Sequence, residues 1–257
     1  MDRTTLMLPI SRDDFLDDFL SSIELLKCEP DKISVLAIVD GDVNLYLKVR
    51  NRFNSLKFDD KLVVQYKSKQ SKLKFDTLSR RLRISEIHNF AKEHIGKTEY
   101  IMVIEDDTIV PRDAYKKLHN HYLNVDMYAG FVQGIEVGRW GIRYLGAWVA
   151  DDIYDPKEIK STLLREGVKP VDAGGFYCFM TKTEYYINHE FKPFDNNGLG
   201  PDVDYGLEMR RQGLNNYTDY SIKCIHKTDK DDVIINNNIN IVTMVKNETG
   251  RWRQSHV

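Results

Sequence analysis

The chain has 257 residues, with 37 Lys and Arg against 39 Asp and Glu and a formal charge of −2. A chain of this length buries a large core and fits one α/β domain, or one domain with a small appendage. The near balance of charge argues against a surface coated in positive charge for gripping nucleic acid. Three widely spaced cysteines, Cys28, Cys178 and Cys224, form neither a zinc-type pair nor a disulfide framework. They are expected to act as small buried apolar residues. No run of about 18 apolar residues is present to span a bilayer, and the N-terminus lacks a signal pattern, so a soluble cytoplasmic protein is expected.

Residues 5–10 (TLMLPI) predict a first strand. Over residues 13–27, Phe15, Phe19, Ile23 and Leu26 recur at helical spacing and predict one apolar stripe. The run at 33–39 (ISVLAIV) is continuous and β-branched, as in strands buried on both faces. It stops at Asp40-Gly41-Asp42, a turn signal. A helix over 45–56, a strand over 62–66, a helix over 78–95 and a strand over 100–104 follow. This alternation predicts right-handed crossovers and an open, mostly parallel sheet. Ligands of such sheets sit beyond the carboxyl ends of the strands, where Asp40, Asp42 and the acidic triplet 105–107 all fall.

The second half reads differently. Residues 128–137 and 144–149 predict strands, and the polar stretch 151–170 predicts loop or short helix. Residues 171–180 hold a glycine turn, Ala173-Gly174-Gly175, leading into a buried strand. A helix over 184–190, a loop over 193–201, a helix over 202–213 with a glycine C-cap, and a last strand over 222–225 before His226 complete the pattern. The tail from Lys246 is expected to be mobile or a lid.

Glu105-Asp106-Asp107 is the strongest local signal for chemistry. Adjacent carboxylates at a strand end repel one another, at about 4 kcal/mol per close pair for an effective dielectric near 20. A bound divalent cation relieves this, since hard cations take carboxylate oxygens and leave positions for phosphate oxygens. A solvated acidic turn capping the next helix is the bland alternative.

The segment 80–118, with Arg80, Arg81 and Arg83 on a helix before a strand ending in Glu105-Asp106-Asp107-Thr108, resembles the central segment of GT-A glycosyltransferases, family 2-like. The acidic triplet stands as the E-D-D variant of that family's DXD motif. Gly200-Pro201-Asp202-Val203-Asp204, followed by Arg210 and Gly213, resembles the segment that opens the acceptor-side helix, with Pro201 where the family often has Glu. Residues 222–228 (IKCIHKT) resemble the strand whose His completes the metal site. The resemblance runs from about residue 5 to 228 and rests on the order and spacing of these pieces.

It implies a GT-A (Rossmann-like) α/β fold: a mostly parallel central sheet flanked by helices, with a smaller mixed acceptor-side region. Residues 1–245 would form one catalytic domain, 1–110 the nucleotide-sugar-binding half and 111–245 the acceptor-side half, with 246–257 a C-terminal tail. Asp107 and His226 would hold Mn²⁺ or Mg²⁺. Glu105 and Asp106 would face the ribose and the metal's waters, and Arg80 or Arg83 the diphosphate or base. Pro9, Ile10 and Ser11 would line the nucleotide, Asp40 would read the base, and Gly174 and Gly175 would allow close backbone approach near the sugar. Asp202 would be the base that activates an acceptor hydroxyl, with inversion, and Asp204 the fallback.

A UDP-sugar is the expected donor by family frequency. A glycan, a glycoconjugate or a hydroxylated base in phage-type DNA is the expected acceptor. For DNA, Lys223, Lys227, Lys230 and residues 251–253 would line a phosphate-tracking groove, although a solvated surface is the favoured reading of these residues. A retaining GT-A transferase, a nucleotidyltransferase and an inactive nucleotide-sugar-binding module are the competing readings. For the nucleotidyltransferase, Leu8-Pro9-Ile10-Ser11-Arg12 supplies no glycine-rich phosphate loop.

Overall fold

The computed structural model describes residues 3–70, 77–137, 146–162, 165–194, 199–227, 242–246 and 252–256. In chain order the first half runs β1 (Thr4–Ile10), α1 (Leu16–Glu24), β2 (Ile33–Asp40), α2 (Val43–Asn54), β3 (Asp60–Tyr66), α3 (Thr77–Ala91) and β4 (Tyr100–Ile104). The second half holds β5 (Thr108–Ile109), α4 (Ala114–Asn124), β6 (Phe131–Val137), β7 (Ala147–Ala150), β8 (Glu158–Ser161), β9 (Val168–Val171) and β10 (Ala173–Gly174). It continues through β11 (Cys178–Lys182), α5 (Thr183–Asn188), α6 (Pro201–Arg211), β12 (Asn216–His226), β13 (Val242–Lys246) and β14 (Trp252–His256).

Strand order in the large sheet is β3-β2-β1-β4-β11-β6-β12-β5, with β9 also paired to β12. The β3-β2-β1-β4 half is parallel throughout, β6 and β12 pair parallel, and β11 enters antiparallel between β4 and β6. Alternate residues of β1 feed opposite faces. Leu6, Leu8 and Ile10 join α1, α2 and α4 in one core, and Met7 joins α3 and α6 in the other. Covering both faces is why β2 and β4 read as unbroken apolar runs, while β3, an edge strand, alternates. A second, antiparallel sheet runs β10-β7-β8-β13-β14.

The stripe Phe15, Phe19, Ile23 and Leu26 is buried as expected, although the regular helix covers only its middle. The Asp42 side chain caps α2 by accepting from the Leu45 N–H at 2.9 Å. At the end of α6, Gly213 has φ +82°, and the bonds Gly213 N–H to Arg210 O and Leu214 N–H to Met209 O close a Schellman motif. Cys178 and Cys224 are buried, and Cys28 partly so.

Two expectations are corrected. The polar stretch 151–170 contains two strands, β8 and β9, and Pro170 is accommodated because β9 pairs on one side only. The last strand of the first sheet begins at Asn216 rather than 222, because its polar residues find buried partners. Asn216 Nδ2 donates to Asp172 O and Gly206 O at 2.8 Å, and Tyr220 OH to Thr162 Oγ1 at 2.7 Å. Beyond these, β14 pairs antiparallel with β13 near the C-terminus. Residues 144–145, 195–198 and Lys230, which carried other expectations, lie outside the described residues.

Candidate active site

The parallel half delivers the ends of β1, β2 and β4 to one edge of the sheet, and the β5–β12 pair brings His226 beside them. After β4 the chain turns through residues 105–107, closed by Thr108 N–H donating to Glu105 O at 3.0 Å. Register then sets His226 opposite Thr108, and Lys227 N–H donates to Asp107 O at 2.7 Å. The His226 imidazole lands with Nε2 3.2 Å from Asp107 Oδ2 and Nδ1 2.7 Å from Glu136 Oε1. Burial alone would lower the His226 pKa, but its contacts with Asp107 and Glu136 outweigh this and push it up to about 10. Burial alone would raise the Asp107 carboxyl, but His226, Arg12 and the nearby charge of Arg80 outweigh it and hold Asp107 below its ordinary range.

Asp106 takes a different part from its neighbour. Its Oδ2 accepts from Ser11 N–H at 2.6 Å, Ser11 Oγ at 3.2 Å and Arg12 N–H at 3.1 Å, so it fastens the loop after β1. This fastening of the loop is a role that the sequence did not mark. The Arg12 guanidinium closes the cluster, with Nη2 2.7 Å from Asp107 Oδ2 and Nε 3.3 Å from Asp106 Oδ1.

Pro9 and Ile10 end β1 just before this loop. Asp40 and Arg83, both expected at the nucleotide, are brought together: Arg83 Nε lies 2.5 Å from Asp40 Oδ2, and Asp40 Oδ1 accepts from Ser68 N–H at 3.1 Å. The β3–α3 loop that carries Ser68 is clamped by Glu86, which accepts from Tyr66 OH, Ser68 Oγ and Gln70 Nε2 at 3.2, 2.6 and 2.7 Å. Arg80 is exposed on α3. Burial raises the carboxyls of Glu105 to about 7 and Asp202 to about 6, and the nearby charge of Arg80 opposes the rise at both. The charge of Asp202, at the start of α6, adds to the rise at Glu105.

Asp204 is not brought to this cluster. Two residues along a helix is about 200° around its axis, and its Oδ2 lies 3.5 Å from His189 Nε2 instead. Arg210 is likewise structural, its Nε bonding Asp172 Oδ1 at 3.1 Å. Gly174 and Gly175 answer to packing: a Cβ on Gly174 would overlap the Gln133 side chain, and one on Gly175 would meet the Tyr177 ring at 2.6 Å. Lys227 pairs with Asp18 at 3.4 Å, and Lys223 is exposed.

Arg12 and Glu136 are the site residues that the sequence did not mark. The only signal for Glu136 was an acid inside a strand-like run, FVQGIEV. Arg12 had none, since one arginine in a polar turn reads as solvated.

Among the described residues, no group of three His, Cys, Asp or Glu side chains closes around a metal-sized position. Asp107 and His226 nonetheless fit a divalent ion as a donor pair, once the imidazole gives up the proton that Asp107 and Glu136 hold on it. They are one carboxylate and one imidazole, adjacent, and Asp107 Oδ1 is buried with no hydrogen-bond partner.

No protein-family model and no curated protein sequence matches the chain. Solved structures do. One is the mannosyltransferase PcManGT from Pyrobaculum calidifontis in complex with GDP-Man and Mn²⁺, with TM-score 0.62 and 14% identity over 89% of this chain. Another is S. aureus TarS 1-349 in complex with UDP-GlcNAc, with TM-score 0.59 and 8% identity over 93% of this chain. The chain has a GT-A-like glycosyltransferase fold. It spans 58% and 62% of those two structures' own lengths. Among its described residues no helix is long and apolar enough to cross a membrane.

Proposed function

We propose that the protein is a metal-dependent glycosyltransferase that moves a sugar from a nucleoside-diphosphate sugar, a UDP-sugar in the first instance, to an acceptor hydroxyl with inversion. The observation that carries this reading is the contact of Asp107 with His226 at the carboxyl edge of a GT-A-like sheet, with Asp202 in the first turn of α6. Glycans, glycoconjugates and hydroxylated DNA bases are the acceptor classes to be tried.

Asp107 and His226 would hold Mn²⁺ or Mg²⁺, which when bound supplies Lewis-acid stabilisation to the departing diphosphate. Glu136 keeps the His226 ring oriented from its far nitrogen, 2.7 Å away. Asp106 holds the Ser11–Arg12 backbone, and so the loop against which the nucleotide would lie. Asp40, with Arg83 and Ser68 around it, presents a fixed polar edge to the base. Arg80 and Glu105 would contact the diphosphate and ribose, and Gly174 and Gly175 would sit beneath the sugar.

Asp202 takes the proton from the acceptor hydroxyl as that oxygen attacks the anomeric carbon. A carboxyl raised to about 6 is a better base for this than an exposed one, while remaining mostly ionised at neutral pH.

Thermal shift against a panel of UDP- and GDP-sugars, with Mn²⁺, Mg²⁺ and EDTA, tests the proposal. A donor-specific rise in Tm that needs metal is expected. No rise with any donor in either metal would return the protein to the inactive-module reading.

A further inference from the structure

We infer that Arg12 is a resident counter-cation on Asp107 which a divalent ion must displace, so that metal binds well only together with an anionic donor. The inference rests on the metal site proposed above. Asp106 and Asp107 are consecutive, and only 5% and 3% exposed. Two neighbouring carboxylates taken from water require a cation. The chain supplies its own in the guanidinium of Arg12, 2.7 Å from Asp107 and 3.3 Å from Asp106.

The two carboxylates depend on it unequally. Asp106 keeps three further donors, the two backbone N–H groups and the Ser11 hydroxyl, when the guanidinium leaves. Among the described residues Asp107 Oδ2 keeps His226, and Oδ1 has no hydrogen-bond partner. The guanidinium therefore acts chiefly on Asp107, the residue a metal would need. A guanidinium and a divalent ion on one carboxylate repel each other. A diphosphate arriving with the metal adds the negative charge that relieves the repulsion.

The arginine also has room to move. Its side chain is 37% exposed. It lines an open cavity of about 390 Å³ between the loops after β1 and β2, shared with Asp42 and with Asp13, which Lys48 already pairs at 2.9 Å. Swinging there leaves the Asp106-held backbone of the loop in position.

The test is calorimetric titration of Mn²⁺ alone, and of Mn²⁺ with UDP or GDP, into the wild type, Arg12→Met, Asp107→Ala and the double variant. Arg12→Met is expected to bind Mn²⁺ alone at least tenfold more tightly than the wild type. That gain is lost in the double variant, and the nucleotide strengthens Mn²⁺ binding less in Arg12→Met than in the wild type. In EDTA the Arg12→Met variant should melt lower than the wild type, and Mn²⁺ should restore it. Equal Mn²⁺ affinity in wild type and Arg12→Met, with binding abolished by Asp107→Ala, overturns the inference and leaves the metal site standing. Mn²⁺ binding indifferent to Asp107→Ala, or none in any variant with or without nucleotide, overturns both. If Arg12→Met folds neither with nor without Mn²⁺, Arg12→Lys decides: its looser pairing should raise Mn²⁺ affinity at least threefold, and no gain overturns the inference.

Discussion

Gly206 lies in the middle of α6, the helix that opens with Asp202. Glycine costs about 1 kcal/mol relative to alanine in a helix interior, so its presence there needs a packing reason. A Cβ at this position would lie 2.6 Å from Ala173 Cα, 2.9 Å from Asp172 O and 3.0 Å from Ala173 Cβ. Carbon atoms in contact keep about 3.5–4.0 Å, and two of the three obstacles are backbone. In Gly206→Ala the helix must therefore retreat from β10 by about 1 Å. The retreat also strains the bonds from Asn216 Nδ2 to Gly206 O and Asp172 O, each 2.8 Å. Overpacking of this kind costs about 1–3 kcal/mol. Set against the helix-propensity gain, the net loss of stability is about 0–2 kcal/mol, and the variant folds. Asp202 travels with the helix, and a 1 Å misplacement of a reacting group costs about 10²-fold in turnover. The donor half, β1 to β4, is untouched. Steady-state transfer, calorimetric donor binding and denaturant unfolding should thus show kcat down about a hundredfold, donor Kd within about twofold and a small stability loss. A variant with the expected destabilisation but near wild-type kcat would refute the reasoning, because Asp202 would then not be a position-critical base.

His88 is 1% exposed among Phe176, Tyr186 and Phe191, with Nδ1 2.8 Å from Tyr186 OH, and burial lowers its pKa to about 3. The unfolded state, with a pKa of about 6.5, binds the proton first as pH falls, so stability is present above 6.5 and is lost progressively down to 3. Between pH 7.5 and 5 the linkage amounts to about 2 kcal/mol. Urea unfolding at both values should show His88→Gln losing about that much less than the wild type, and an equal loss in both would contradict a neutral buried imidazole. Glu86→Gln, at the clamp of the β3–α3 loop, removes an acceptor for Ser68 or Gln70 and costs ~1 kcal/mol of loop order. Donor Kd should weaken about fivefold with kcat unchanged; unaltered donor affinity by calorimetry would disconnect that loop from the base.

The parallel half was legible because burial on both faces leaves a plain mark, as in residues 33–39 and 100–104, and because carboxylates clustered at strand ends are conspicuous. His226 was legible only through its order after Asp107 and Asp202. Arg12 was not, since its role exists only once a contact across 95 residues of chain is made. The strands β8 and β9 were missed because each has only four residues, with polar or exposed positions among them, and carries no long apolar run. The glycines at 174 and 175 were marked for close backbone approach near a sugar, while the crowding by Gln133 and Tyr177 that a Cβ would meet there is a long-range contact the sequence does not show. Asp106 and Asp107, identical in type and adjacent, differ in role because the backbone after β1 donates to one alone.

The most direct measurement of the central claim is donor binding by calorimetry in Mn²⁺ and in EDTA, for the wild type and Asp107→Ala. The wild type should bind one nucleotide sugar in Mn²⁺ and lose at least a hundredfold in affinity in EDTA, and Asp107→Ala should bind as weakly in both. Donor affinity indifferent to both the metal and Asp107 would contradict the account.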